Sequence, residues 1–287
     1  MPTVNDNYPN KGNFEMTDEQ VKELAIQNMQ RQEVKNSGFP TEIISLPSKG
    51  LVYPESSPLR SGTVEMKYMT AREEDILTSQ NLIKQGVVLD KLMQSMIVSP
   101  INFNDLVIGD KNAIMIAARI LGYGKAYETK IECPMCGADN KLEVDLTTLP
   151  ESNVPEEAVM VSPGIFEFTL PQSKRVIHFR LLTTGDDKRI SKELEAQKKS
   201  TKDGVDRELT TRLKNLIVSV DGNAEKKFIS HFVDNELFAM DSRAFRSYIK
   251  SVSPDTKFEI DFTCTECDGD KEALSFNIDT NFFWPKS

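Results

Sequence analysis

Tryptophan occurs once, histidine twice and cysteine four times in 287 residues, so each of these side chains carries weight wherever it falls. With only His178 and His231 available, any Ser/His/Asp or Cys/His mechanism would rest on one of two residues, and both read as structural or surface positions. His178 lies in the strand-like run VIHFRLL, and His231 follows the apolar-rich FIS. Gly-x-Gly-x-x-Gly, the Walker A loop, Gly-x-Ser-x-Gly and His-Glu-x-x-His are all absent. The chain is therefore expected not to be an enzyme and to have no small-molecule substrate. No run approaches eighteen apolar residues, and the polar start MPTVNDNYPNKGNF lacks a basic region followed by an apolar core, so neither a membrane span nor a secretory signal is expected. Positive charge is also short. A formal charge of −9 and the lack of a basic stripe interleaved with aromatics argue against a nucleic-acid groove.

What remains is soluble globular material, 28% charged and 39% hydrophobic, long enough for two modest cores or one large one. Thr17 and Gln20 form a capping-box pattern opening a helix to about Val34, with Val21, Leu24, Ala25 and Met29 on one face. The segment Lys35 to Gly62, rich in Pro, Gly and Ser, is expected to run extended while carrying Ile43, Ile44, Leu46, Leu51 and Tyr53. It is either a clamp across the body or an arm that docks on a neighbour.

Beyond this arm the chain repeats itself. The run VEMKYMTAREED (64–75) parallels VIHFRLLTTGDD (176–187), each a strand ending in a Thr three residues before an acid. LDKLMQSMIVS (89–99) parallels LTTRLKNLIVS (209–219), matching Leu89 with Leu209, Met93 with Leu213 and Met96 with Leu216. Residues 109–136 parallel 240–267: an Asp N-cap (Asp110, Asp241), a short helix, a Gly or Pro stop, a strand, then Cys-x-x-Cys. The offset between blocks grows in two steps, placing insertions around KKSTKDG and around DGNAEKKFISHFVDNELFA. A duplication explains three blocks in one order.

Each cysteine pair, Cys133/Cys136 and Cys264/Cys267, sits on a turn between two strand-like runs, which is the pattern of a zinc knuckle. One knuckle supplies two ligands, so the two pairs must meet to complete a four-thiolate structural site for one Zn2+ per chain. The metal then staples the halves together. Structural zinc in small peptides binds with about 10–16 kcal/mol, so its loss should loosen that pairing. Cys-Pro-Met-Cys also looks like a redox centre, but glycine and acids follow it where such a centre needs a helix. The fold expected is α+β: two related α/β units joined by a shared four-cysteine zinc ribbon, preceded by an extended N-terminal arm. The divisions are 1–62 for helix and arm, 63–150 for the first unit, and 151–287 for the second unit and its aromatic tail.

The run Leu46-Pro47-Ser48-Lys49-Gly50-Leu51-Val52-Tyr53-Pro54, the following VEMKYMTAREEDIL, the Gly109-Asp110 helix ending in LGYG, and CPMCG together resemble the baseplate hub subunit family of T-even-type contractile-tailed bacteriophages. The resemblance is clearest from about Leu46 to Leu146. It implies a structural or assembly protein of the central hub of the tail baseplate, a virion protein assembled in the host cytoplasm, whose partners are other hub proteins. Val21, Leu24, Met29, Leu46, Leu51, Tyr53 and the terminal Trp284 are the expected partner-binding residues. The readings set against this one are a zinc-ribbon nucleic-acid-binding adaptor and a dithiol oxidoreductase.

Overall fold

The computed structural model describes residues 38–200, 206–276 and 282–284, with side chains through residue 198 of the first span. The helix expected over 17–34 lies outside them, as does most of the KKSTKDG insertion.

Strand β1 (Thr41–Ser45) pairs antiparallel with β2 (Thr63–Lys67) along its whole length. The segment expected to run extended, as a clamp across the body or as a docking arm, thus contributes one strand of a hairpin. Its loop, residues 46–62, folds back on the body because it carries apolar residues: Leu46, Tyr53 and Leu59 are buried. A helical layer follows, α1 (Ala71–Thr78), α2 (Gln80–Lys84), α3 (Val88–Met96) and α4 (Ile108–Tyr123). The hairpin of β3 (Ala126–Glu132) and β4 (Asp139–Asp145) closes this half. A short strand β5 (Glu151–Ser152) leads into the second half, where β6 (Met160–Ser162), β7 (Ile165–Thr169), β8 (Val176–Phe179) and β9 (Ile217–Val220) form one antiparallel sheet in that order. Between β8 and β9 run α5 (Thr184–Ser200) and α6 (Glu208–Leu216). The insertion after β9 forms α7 (Lys226–His231) and a π turn. Then come α8 (Ala239–Val252), β10 (Asp255–Thr256) and the hairpin of β11 (Glu259–Thr263) with β12 (Asp270–Ser275).

The same contacts recur in both halves. At the first strand-to-helix junction, Thr70 donates from N and Oγ1 to Glu73 at 3.0 and 2.6 Å, and Glu73 also takes Lys67 at 2.7 Å. At the second, Thr183 donates from N and Oγ1 to Asp186 at 3.0 and 3.1 Å, and Asp186 takes Arg180 in a two-point contact. After α3, Ile97 bridges to Met66 of β2; after α6, β9 pairs with β8. Asp110 accepts from Ser48 N at 3.0 Å, and Asp241 accepts from Gln172 N at 2.7 Å. Those two loops open alike, Leu46-Pro47-Ser48 and Leu170-Pro171-Gln172.

Two expectations are corrected here. Asp110 and Asp241 are not N-caps: each stands third in its helix, behind Val107 and Phe238, and turns its carboxylate toward the preceding hairpin loop. A buried carboxylate gains more from N–H and O–H donors converging on it than from the end of its own helix. Leu209 does not share the buried stripe of α6; it is 44% exposed, while Leu213 and Leu216 are buried.

The halves meet at several points. Thr184 N donates to Leu106 O at 2.7 Å, and β10 pairs with β5 beside α4. Gly109 is needed there, because a Cβ would lie 1.7 Å from the carbonyl oxygen of Pro254. The core is continuous across this junction, with Phe166, Phe179 and Phe245 in one ring cluster and Tyr127, Phe282 and Phe283 in another.

Candidate metal centre

Both Cys-x-x-Cys turns are built alike. Cys133 N donates to Ala138 O and Gly137 N to Cys133 O; Cys264 N donates to Gly269 O and Asp268 N to Cys264 O. Tight closure requires a left-handed residue after the second cysteine, supplied by Gly137 (φ 73°) and by Asp268 (φ 51°), a residue type that tolerates this region. The N–H groups of Met135 and Glu266 each point at the first sulfur of their own turn, at 3.4 Å.

The two turns face one another. Cys133 Sγ lies 3.8 Å from Cys267 Sγ and Cys136 Sγ lies 3.7 Å from Cys264 Sγ, with all four sulfurs within 4.8 Å and no disulfide among them. A tetrahedral ion with metal–sulfur bonds of about 2.3 Å requires sulfurs about 3.8 Å apart. The cluster therefore has the dimensions of a metal site, contributed equally by the two halves. Cys133 and Cys264 are buried and Cys136 and Cys267 exposed, which gives the site an inner and an outer edge.

Electrostatics point the same way. The Glu266 N–H, with further donors behind it, draws the Cys264 thiol down to about 6. Cys267 receives the Gly269 N–H, yet its contacts with Cys136 and Cys264 push it up to about 12. Four thiols this close do not ionise together unless a cation balances them.

One residue outside the cysteine pattern locks the turns together. Asn140, 1% exposed, accepts from Thr265 N and Thr265 Oγ1, both at 2.9 Å, and donates to Cys264 Sγ at 3.5 Å and to Ala138 O at 3.0 Å. It spans the junction as an outer-shell partner of a sulfur. Met135 of the first turn lies over Gly269 of the second, where a Cβ would meet its methyl at 2.6 Å. Sequence reasoning missed both. The signal for Asn140 was faint: a polar residue at an inward position of a strand.

Of the residues expected to bind partners, Val21, Leu24 and Met29 lie outside the described residues. Leu46 and Tyr53 belong to this chain's own core, at 1% and 3% exposure, and the Tyr53 hydroxyl donates to Asp110 at 2.6 Å. Burial and the adjacent carboxylate drive the Tyr53 phenol far above its ordinary range. Leu51 is 39% exposed, and Trp284 is half-buried beside the core with Phe282 and Phe283 buried before it. His178 joins a row across the sheet, its Nε2 3.1 Å from Glu167 Oε2 and its Nδ1 3.1 Å from Ser219 Oγ. Ser219 is 6% exposed.

The family described as T4 bacteriophage base plate protein matches residues 52–283. That span takes in all four cysteines, both buried aspartates and both strand-to-helix junctions. The chain belongs to this family. It is accordingly a baseplate structural protein of the virion tail, one that works among other baseplate components. The match extends through the second half, beyond the region up to Leu146 where the resemblance is clearest in the sequence. No curated protein and no solved structure matches the chain. Among the described residues, no helix is long and apolar enough to cross a membrane.

Proposed function

We propose that this baseplate protein serves in the central hub, where it binds neighbouring hub subunits, and that one structural zinc ion held by Cys133, Cys136, Cys264 and Cys267 staples its two halves. The observation that carries the metal reading is the meeting of two sulfurs from each half at tetrahedral spacing. Zinc fits best among metals because four thiolates in a closed tetrahedral set leave no position for water and select a soft ion without redox demands. The role is structural for the same reason. The recurrence of contacts around Asp110 and Asp241, and around Glu73 and Asp186, supports a duplicated unit, the first copy now beginning at β1. Assembly in the host cytoplasm fits thiols kept reduced until metal binds.

Native mass spectrometry of the reduced full chain, with the Cys133→Ser and Cys264→Ser variants, tests the staple. One zinc per chain, weakened or lost in either variant, is expected; two disulfides and no metal would refute it. Binding to neighbours is tested by removing residues 1–37, a cut that spares the buried loop from Leu46 to Leu59. Undiminished capture of hub proteins by the shortened chain would remove Val21, Leu24 and Met29 from the docking surface and leave Leu51 and Trp284.

A further inference from the structure

The hairpins β3–β4 and β11–β12, one from each half, are tied at two points, and between these points no strand pairing joins them among the described residues. At one end Lys257 N donates to Pro150 O at 2.8 Å, continuing the β5–β10 pairing. At the other, Thr265 N donates to Asn140 Oδ1 at 2.9 Å beside the sulfurs. Between these points β4 and β11 run past each other in opposite directions, and among the described residues β4 pairs only with β3 and β11 only with β12. A cleft of about 610 Å³ separates them, lined by residues of both strands.

The pairing registers show which backbone groups face this cleft. Leu146 N bonds to Lys125 O and Cys133 N to Ala138 O, so Leu142 and Val144 are the β4 residues bonded back to β3. Glu143 and Asp145 then turn their N–H and C=O outward. By the same alternation, Phe276 N to Phe258 O and Cys264 N to Gly269 O leave Glu259, Asp261 and Thr263 with outward groups. Two unpaired strand edges thus face each other across a gap, and such edges are templates for another strand. Charge states what kind. Four carboxylates, Glu143, Asp145, Glu259 and Asp261, line the cleft against one lysine, Lys257; Lys125 pairs with Asp145 at 2.8 Å, so three acids against one base set the charge an occupant meets.

We propose that this cleft receives an extended, basic segment of a neighbouring baseplate protein, which inserts as a strand between β4 and β11 and completes a five-stranded sheet β3-β4-partner-β11-β12. The proposal deepens the reading of this chain as one that binds its neighbours, and rests on it. Because β4 and β11 run in opposite directions, the inserted strand is parallel to one and antiparallel to the other. It bonds on both sides over about five residues, the length of β11. The chain's own first 37 residues are a poor occupant, with six acids against four bases.

The test uses the full zinc-loaded chain and three peptides: acetyl-Lys-Val-Lys-Val-Lys-amide, its Glu-Val-Glu-Val-Glu counterpart, and the lysine peptide N-methylated at both valines. Hydrogen exchange is followed at the amides of Glu143, Asp145, Glu259 and Thr263. In the free chain these amides exchange freely; the lysine peptide slows them, and the other two peptides do not. The Glu143→Lys/Glu259→Lys double variant binds the lysine peptide roughly tenfold more weakly and gains affinity for the glutamate peptide. Equal effects of all three peptides would overturn the proposal, as would no effect from any. Protection already present in the free chain and lost on deleting residues 1–37 would overturn it too, by showing the cleft to be self-occupied. Metal content is read separately: protection by the lysine peptide in a chain that holds no zinc sinks the staple and leaves the cleft standing.

Discussion

Replacing Asn140 by alanine should weaken metal binding about 10- to 100-fold without touching a ligand. Two separate arguments give this size. Outer-shell partners of metal ligands are worth about that factor when removed. The bonds themselves give a second estimate: Asn140 makes two contacts to Thr265 and one to Cys264 across the junction, besides one to Ala138 in its own turn. At about 1 kcal/mol net for each of the three that cross, the loss is roughly 2–3 kcal/mol. The full penalty for a stranded buried donor does not apply, because Thr265 is exposed and water can reach its N–H. Since 1.4 kcal/mol is tenfold, the two estimates overlap. Asn140→Asp keeps the shape and the acceptor for Thr265 but turns a carboxylate oxygen toward Cys264 Sγ where an N–H stood. Affinity should therefore fall in the order Asn, Ala, Asp, although the aspartate fills the site better. A competition titration against a chromophoric zinc chelator at pH 7.5 measures all three. An aspartate variant that binds as tightly as the parent would refute the reasoning, since shape alone would then matter.

Gly109→Ala puts a Cβ into the Pro254 carbonyl and should lower stability by about 1–3 kcal/mol or more, read as a shifted denaturant midpoint; an unchanged midpoint would mean that α4 and β10 are not in contact. Lys67→Met takes the cation from the fully buried Glu73 and should cost about 3–5 kcal/mol, part of it recovered in the Lys67→Met/Glu73→Leu double variant, which also gives up the Thr70 bonds; a double-mutant cycle with no coupling would show the pair to be independent. Asp110 and Asp241 should respond to pH with opposite signs. Burial holds Asp110 above the carboxylate range, so its contribution is complete at low pH and fades as pH rises through the folded-state value. Asp241 is also pushed up by desolvation, but the N–H groups of Gln172 and Ser173 more than offset this and hold it low; its contribution is present above the unfolded value and fades on acidification. Melts from pH 3 to 8 should show Asp110→Asn gaining on the parent as pH rises and Asp241→Asn losing, and identical profiles for the two variants would contradict the assignment.

The parts of the molecule legible in the sequence are those where local chemistry and tertiary contact agree. Thr70 with Glu73, and Thr183 with Asp186, form the strand-to-helix junctions that their spacing predicts, because the contacts are three residues apart and need no distant partner. The turns at the cysteine pairs were legible for a similar reason, since Cys-x-x-Cys and a left-handed residue after it are local, whereas the meeting of the two pairs is set by the fold. What escaped was set by long-range packing. The loop 46–62 reads as an arm because its Pro, Gly and Ser are loop residues, yet Tyr53 reaches Asp110 and the loop folds inward. The recurrence of Leu-Pro-Ser in Leu-Pro-Gln was hidden because one hairpin loop is long and the other short, which breaks the offset that alignment by eye follows. Asp110 and Asp241 look like caps by residue type; only the fold reveals that the donors come from hairpins sixty to seventy residues earlier.

The proposed metal site and the proposed docking cleft lie between the same two hairpins. The strands β4 and β11 are fixed at the β5–β10 end by backbone bonds and by Gly109 packed on Pro254, a joint that needs no ion. At the other end the protein's own contribution is Asn140 bonded to Thr265 and Met135 packed over Gly269, beside four sulfurs close enough to share a cation. An ion bound there, as proposed, would fix the distance between two strand edges that are unpaired among the described residues. An incoming strand must bond to both edges at once, and it gains both sets of bonds only if their separation is already that of two strand spacings, about 9.5 Å. With the far end free, the partner would have to order the hairpins as it binds, and that ordering is subtracted from its affinity. On this argument zinc removal should weaken the lysine peptide at the cleft while leaving the pairing of β5 with β10 in place. If both outcomes are found, the proposed staple acts less to keep the chain folded than to hold a docking site at its working width.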